Sequence, residues 1–155
     1  MTTYVIRSIR SADARDIYAL NQDFNATFAD FDEERVRQKI DIILTSTNDI
    51  VLVCEYNGRV VGYIHGSPYE LLFADSLLNV LGFVVGAEAR NQGIGGRLIT
   101  RLEQWAERHG YAGVKLLTHP SRTAAHHFYE RRGYVWTKDQ KNYIKTFANS
   151  ADRES

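Results

Sequence analysis

The sequence predicts a mixed α/β (α+β) domain built on a central, mostly antiparallel sheet, and three observations carry that expectation. Asn57-Gly58 lies between two apolar-rich arms, residues 50–56 and 59–65, which is the strongest short signal for a two-residue β-hairpin. Residues 77–85, a glycine-rich loop, an amphipathic stretch from Ile94 and residues 114–118 read as strand, loop, helix and strand, a unit whose right-handed crossover makes its two strands parallel. The chain has 155 residues, 44% of them hydrophobic and 25% charged, enough for one domain with a sizeable core.

The elements follow in order. Residues 4–9 alternate as a first strand. Ser11 as N-cap and Asp13 in the first turn open a helix with Ile17, Leu20 and Phe24 at helical spacing. A connection with Phe28 and Phe31 leads to a second helix, residues 32–45, whose Val36, Ile40, Ile43 and Leu44 share a face. Asp23, Asp30, Asp32, Glu33 and Glu34 precede any basic residue in that stretch. They suit a cationic partner, or simply the preference of helix N-termini for negative charge. After the hairpin, Pro68 ends the second arm. The greasy segment 69–75 then either folds over a pocket or meets another subunit, which makes a homodimer one expectation.

The helix from Ile94 turns Leu98, Ile99, Leu102, Trp105 and Ala106 to one side and Arg97, Arg101, Glu103, Glu107 and Arg108 to the other, so it packs on a sheet and stops at Gly110. A last helix, residues 123–132, carries Ala124, Ala125, Phe128 and Tyr129 on one stripe and ends at Gly133. The stretches around Tyr134-Val135-Trp136 and residues 142–147 read as a closing antiparallel pair, bringing the expectation to seven strands and four helices. Residues 1–148 form a single domain on this reading, and 149–155 a disordered tail.

Charge excludes some functions. Nineteen basic residues balance nineteen acidic ones, so no global field gathers nucleic acid or an anionic membrane, and neither is expected as a partner. The single Cys54 stands in an apolar run, no signal peptide is visible, and no apolar run approaches ~18–20 residues; the expected location is the cytoplasm.

Arg90-Asn91-Gln92-Gly93-Ile94-Gly95-Gly96 organises the rest. Glycines let several backbone N–H groups converge at the start of the following helix, which makes an anion site suited to a diphosphate, and Arg90 adds a fork for phosphate oxygens. A nucleoside-triphosphate loop needs Lys and Ser or Thr after its last glycine, where Gly96-Arg97-Leu98 stands. The dinucleotide fingerprint needs a small residue at Leu98. Both fail.

What remains, Arg90-x-x-Gly93-x-Gly95, resembles the pyrophosphate-binding motif of the GNAT superfamily of acyl-CoA N-acyltransferases. Ala125-His126-His127-Phe128-Tyr129 with Gly133-Tyr134 resembles its second signature, and the element order to about Ala148 is that of the GNAT fold. The resemblance implies a mixed seven-stranded sheet flanked by four helices, with one splayed parallel pair holding acetyl-CoA as cosubstrate. It implies Phe83, Val84 and Val85 along the pantetheine, Arg90, Asn91, Gln92, Gly93, Ile94, Gly95 and Gly96 around the phosphates, and Tyr129 as the acid that protonates the leaving thiolate. An oxyanion donor would be the N–H of Val84 or Val85. The carboxylate many relatives carry on the strand before the loop is replaced by Asn79, Gly82 and uncharged neighbours. Glu70 is the candidate base, with Asp75, His65 and His119 as substitutes. Arg122 stands where relatives often have an asparagine; it either reaches a coenzyme A phosphate or lies on the surface. His126 and His127 lack partners at ligand spacing, so no metal is expected. The implied activity is transfer of an acetyl group to a primary amine, with a catalytically weak acyl-CoA sensor or assembly domain as the competitor.

Overall fold

The structure is a computed structural model and describes residues 3–148. The expected disordered tail lies outside the described residues. The chain divides into two compact units, Met1–Leu117 and Thr118–Ser155.

The first unit is a five-stranded sheet, β1 (Tyr4–Ser8), β2 (Ile50–Tyr56), β3 (Arg59–Tyr69), β4 (Leu77–Val85) and β5 (Gly113–Leu116), in sequential order. Its helices are α1 (Ala14–Phe24), α2 (Glu33–Ser46) and α3 (Ile94–Arg108). All ladders are antiparallel except β4–β5, which is parallel. Asn57 and Gly58 take φ of 51° and 75°, the left-handed pair a type I′ turn requires. Ser11–Asp13 forms a short 3₁₀ turn before α1, and Asp32 caps α2 through the Arg35 N–H at 2.9 Å.

Two apolar layers cover the sheet. On one face Leu98, Ile99 and Leu102 of α3 are fully buried with Ile64 and Leu78 of the strands. A Cβ at Gly66 would lie 3.0 Å from Leu78 and 3.2 Å from Leu102, so the glycine lets α3 approach the sheet closely. On the other face Ile17 and Leu20 of α1 and Val36 and Ile40 of α2 cluster with Val51, Val53, Val60 and Val84. β3 runs through Pro68 to Tyr69. There β2 has already ended, at its Ile50–Gly66 pair, so the missing proline N–H is needed by no neighbour.

The second unit contains α4 (Thr123–Arg131). The closing antiparallel pair does not form: no strand occurs among the described residues after β5, so the sheet has five strands rather than seven. Apolar residues there come as neighbours, Val135-Trp136 and Tyr143-Ile144, rather than in alternation, so neither stretch presents one apolar face. These four side chains are 76–84% exposed, and an isolated hairpin is marginal in water.

Candidate active site

The parallel β4–β5 ladder has only four pairs, Leu77–Gly113 to Val80–Leu116, while β4 continues to Val85 against β3 alone. Its ladder with β3 shifts register between Val80 and Gly82, which leaves Leu81 as the extra residue of a bulge at the point where the parallel ladder stops. Gly86 donates its N–H to Val61 of β3 at 2.8 Å. Alternation along the strand then turns the backbone of Val84 toward β3 and that of Phe83 and Val85 toward the opposite edge. Of the two expected oxyanion donors, Val84 therefore directs its N–H into the sheet and Val85 directs its N–H out.

After Val85 the chain passes Gly86, a 3₁₀ turn at Ala87–Ala89 and the arginine-glycine loop. Asn91 and Gly93 are left-handed, with φ of 63° and 78°. A Cβ at Gly93 would meet nothing within 4 Å, so the space over the turn is open and the glycine answers a backbone need rather than a packing one. The first bond inside α3 runs from the Arg97 N–H to the Gly93 carbonyl at 3.1 Å. The N–H groups of Gly95 and Gly96 precede it and project from the helix end. Ile94 and Gly96 are buried beneath them.

Three elements brace the loop. Asp23 at the end of α1 accepts the Ala87 N–H at 2.9 Å. Arg59 of β3 reaches Glu88 at 2.8 Å. The Tyr4 hydroxyl of β1 donates to Gln92 Oε1, while Gln92 Nε2 donates to the Glu88 carbonyl at 3.2 Å. The Gln92 side chain thus shapes the loop. Arg90 lies half-exposed, its Nε donating to the Val85 carbonyl at 3.1 Å and its Nη2 3.7 Å from Asp23.

Glu70 is exposed just past the end of β3 and accepts from Ser76 Oγ at 2.7 Å. Since Tyr69 pairs with Leu77, it stands beside the start of β4, about 20 Å of strand from Phe83. The structure therefore brings Phe83, Val85 and residues 90–96 together and leaves Glu70 at the other end of the strand. In the loop that follows, Leu72 and Phe73 are exposed, so the segment does not fold over a pocket. Of the acidic stretch, Asp32 caps α2, Glu33 and Glu34 pair with Arg37, and Asp23 braces the loop. Asp30 remains exposed.

In the second unit Tyr129 is half-buried on α4, edge-on to Phe128 and Tyr134 at centroid distances of 5.4 and 5.8 Å. Burial pushes its phenol above the usual range, and the positive charge of Arg122 pulls in the opposite direction. The phenol is thus protonated at neutral pH, as a proton donor must be. Arg122 stands at the N-cap of α4, where its carbonyl accepts the His126 N–H at 3.1 Å. His119 and His126 build the turn before the helix: His119 Nδ1 accepts the Ser121 N–H at 3.1 Å, and His126 Nε2 lies 3.0 Å from the His119 carbonyl. Among the described residues no group of three or more His, Cys, Asp or Glu is arranged to hold a metal, and no helix is long and apolar enough to cross a membrane.

The profile of the Acetyltransferase (GNAT) family matches residues 15–134. The chain belongs to the GNAT acetyltransferase family. Solved structures share its fold at low identity. The aminoglycoside N-acetyltransferase AAC(6')-Iy in complex with CoA has 16% identity and a TM-score of 0.79, over 94% of this chain and 96% of that one. Glucosamine-6-phosphate N-acetyltransferase from Arabidopsis thaliana has 17% identity and a TM-score of 0.78, over 92% and 98%. A transcriptional regulator from Bacillus halodurans C-125 has 19% identity and a TM-score of 0.81, over 92% and 100%. No curated protein matches by sequence. Family membership gives the half-open β4 and the glycine loop their context. It leaves the Asp23 brace and the Leu81 bulge, neither of which has a motif, to be found in the structure alone.

Proposed function

We propose that this GNAT protein is a cytoplasmic, acetyl-CoA-dependent N-acetyltransferase that acetylates a primary amine, either a cationic small molecule or a protein amino group. One observation carries the reading: the parallel ladder ends at Val80–Leu116 while β4 runs on to Val85 and into a left-handed loop that opens the N-terminus of α3. A strand edge beside an anion site suits a ligand with an amide-bearing arm and a diphosphate. Phe83 and Val85 would hold the arm through their backbone, and residues 90–96 the phosphates. The cosubstrate supplies the activated acetyl group. Val85 N–H faces the side on which an oxyanion would develop, and Tyr129 would protonate the departing thiolate. A neutral phenol of pKa ~10 can give its proton to a thiolate of pKa ~8.5 at a cost of about 2 kcal/mol, and burial of Tyr129 adds to that cost. The likeness to aminoglycoside and amino-sugar acetyltransferases supports an amine acceptor.

A second reading, an acyl-CoA sensor with weak catalysis, is favoured by Asn79 and Gly82 standing where a strand carboxylate would serve as base. A thiol-release screen with acetyl-CoA against spermidine, kanamycin, glucosamine 6-phosphate and an N-terminal peptide separates the two. Turnover with one acceptor, falling ~10²–10⁴-fold in Tyr129→Phe with unchanged acetyl-CoA affinity, is the expected result. Tight acetyl-CoA binding with no turnover favours the sensor.

A further inference from the structure

A polar cluster lies on the α1/α2 face of the sheet, beside the bulge, and the glycine loop does not use it. His65 of β3 places Nε2 2.8 Å from Asp49 Oδ2, and Ser67, two residues on, donates to Asp49 Oδ1 at 2.7 Å. The Asp49 side chain is 11% exposed and that of His65 19%. The order of the bonds decides what the cluster can do. The serine proton goes to the carboxylate and not to the imidazole, so this is no nucleophilic triad: nothing activates Ser67. A carboxylate on Nε2 instead fixes the ring as the tautomer protonated there, which leaves Nδ1 with an available lone pair.

Position gives that lone pair a use. His65 pairs directly with Gly82, the residue after the bulged Leu81, at the level where β4 leaves β5. Nδ1 is the ring nitrogen nearer the sheet, and Gly82 has no side chain to cover it; a Cβ there would already lie 3.3 Å from the Tyr63 ring and 3.9 Å from His65 Cβ. The opposite face of the sheet is closed by Leu78, Leu98 and Leu102, all fully buried. Apolar side chains cover both faces of the sheet, and on the α1/α2 face the partly exposed His65 is a polar group standing opposite Gly82. The other groups facing the ring do not compete for a proton. The Tyr63 hydroxyl donates to Asn21 at 2.6 Å and burial pushes it up to about 12, while Asn79, opposite Ser67, is an amide. Helices α1 and α2 turn Ile17, Leu20, Val36 and Ile40 to this face. Asp16 of α1 is engaged by the Val60 N–H at 3.0 Å.

We propose that His65 is the proton acceptor for the incoming amine and Asp49 its positioning residue. The assignment deepens the acetyltransferase reading and rests on it. An ammonium N–H gives its proton to Nδ1, and His65 becomes an imidazolium with the Asp49 carboxylate already at Nε2. The freed nitrogen lone pair forms the C–N bond to the thioester carbonyl carbon as the C–S bond breaks and its electrons leave on sulfur. Tyr129 gives its proton to the thiolate and regains one from the amine nitrogen, one proton stays on the amide, and the His65 proton returns to solvent. Charge and protons balance without any further reactant. The assignment moves the base from Glu70 to the residue opposite the bulge, about 17 Å back along the strand.

The test follows kcat/KM for spermidine and kanamycin from pH 6 to 10 in wild type, His65→Gln and Asp49→Asn, with acetyl-CoA Kd measured by calorimetry for each. His65→Gln is expected to lose ~10²–10³-fold at pH 7 and to recover toward wild type as alkali frees the amine, with acetyl-CoA Kd within twofold. Asp49→Asn is expected to lose less and to change the shape of the profile. Long-range ¹H–¹⁵N spectra of wild type should show Nε2 protonated and Nδ1 bare, and a mixture of tautomers in Asp49→Asn. Superimposable pH profiles in wild type and His65→Gln, or an Nδ1-protonated ring, overturn the inference while leaving the acetyltransferase reading intact. Absence of transfer by wild type to any amine overturns both.

Discussion

The two edges of the sheet solve opposite problems. At the β1 edge Arg7 reaches inward: Nη2 and Nη1 hold both oxygens of Asp13 at 2.8 and 2.9 Å and Nε holds Glu55 at 2.9 Å, with the Arg10 N–H as a further donor to Asp13 at 2.8 Å. The pair is nearly buried, its side chains 15% and 8% exposed. At the β4 edge the ladder stops after four pairs, and the strand goes on with one side directed away from the sheet. One edge spends its charge holding the first strand to the turn before α1. The other turns backbone out of the sheet and is shaped by a bulge and a left-handed loop. The contrast teaches that one edge is fixed by ionic bonds the fold completes, while at the other β4 turns one side out of its ladder and Arg90 holds the Val85 carbonyl there.

The comparison breaks or sharpens under four changes. The largest effect belongs to Gly93→Val. A β-branched residue at φ 78° costs of order 1–3 kcal/mol of strain and places methyl groups over the anion cradle. Calorimetry should find no measurable acetyl-CoA binding, while circular dichroism finds the fold retained. Full affinity in this variant would remove the loop from the site.

Asp13→Asn should do the reverse, costing about 3–5 kcal/mol of stability by leaving Arg7 near-buried without its principal partner, with acetyl-CoA affinity unchanged. The pH dependence has a definite sign. Burial opposes ionisation of Asp13, but the Arg7 fork and the Arg10 N–H outweigh it and hold the carboxyl below its ordinary range. A carboxyl depressed in the folded state contributes fully above its unfolded value of ~3.9, and the contribution is lost as pH falls through the folded value. The stability gap between wild type and Asp13→Asn should therefore be flat from pH 6 to 8 and close below about pH 4. A gap that widens in acid would contradict the ion-pair account.

Arg90→Ala comes third. Losing a charged donor to phosphate should weaken coenzyme A by about 1.5–3 kcal/mol and hardly move the melting temperature, since the guanidinium is half-exposed. The smallest effect concerns Asp30 and Glu70, both exposed. If they attract a cationic acceptor, the acceptor KM should rise with salt, as the Debye length shrinks from about 10 Å at 0.1 M to 3 Å at 1 M, and rise less steeply in Asp30→Asn/Glu70→Gln. Equal salt response would reduce them to solvated surface.

Features resting on local rules were readable in advance: Asn57-Gly58 demanded the hairpin, and Leu77–Val85 formed with the expected ends. The closing pair failed because Val135-Trp136 and Tyr143-Ile144 supply apolarity without the alternation that gives a strand a face. The acidic stretch carried two meanings, and sequence had no means to divide them. Asp32 proved a cap and Asp23 a brace only once Arg35 and Ala87 were seen beside them. The Asp49–His65 bond joins residues 16 apart through the docking of one strand on another, and no spacing rule encodes it. Leu81 became a bulge because β3 and β4 differ by one residue between two paired positions, a property of two strands at once.

The hydrogen bond from Arg90 to the Val85 carbonyl has a consequence for life without coenzyme. A strand with one side turned out of its ladder is a template on which another chain can continue the sheet. The guanidinium stoppers that side at its last carbonyl and sets a positive charge where a neighbouring strand would dock, while Leu81 upsets the spacing at the other end. If β4 and the loop hold coenzyme A as proposed, its arrival would be an exchange, in which Arg90 turns from carbonyl to phosphate as an amide N–H of the incoming arm takes its place. One bond would replace another, so the outward side of β4 would be guarded in solution and cost little to unlock.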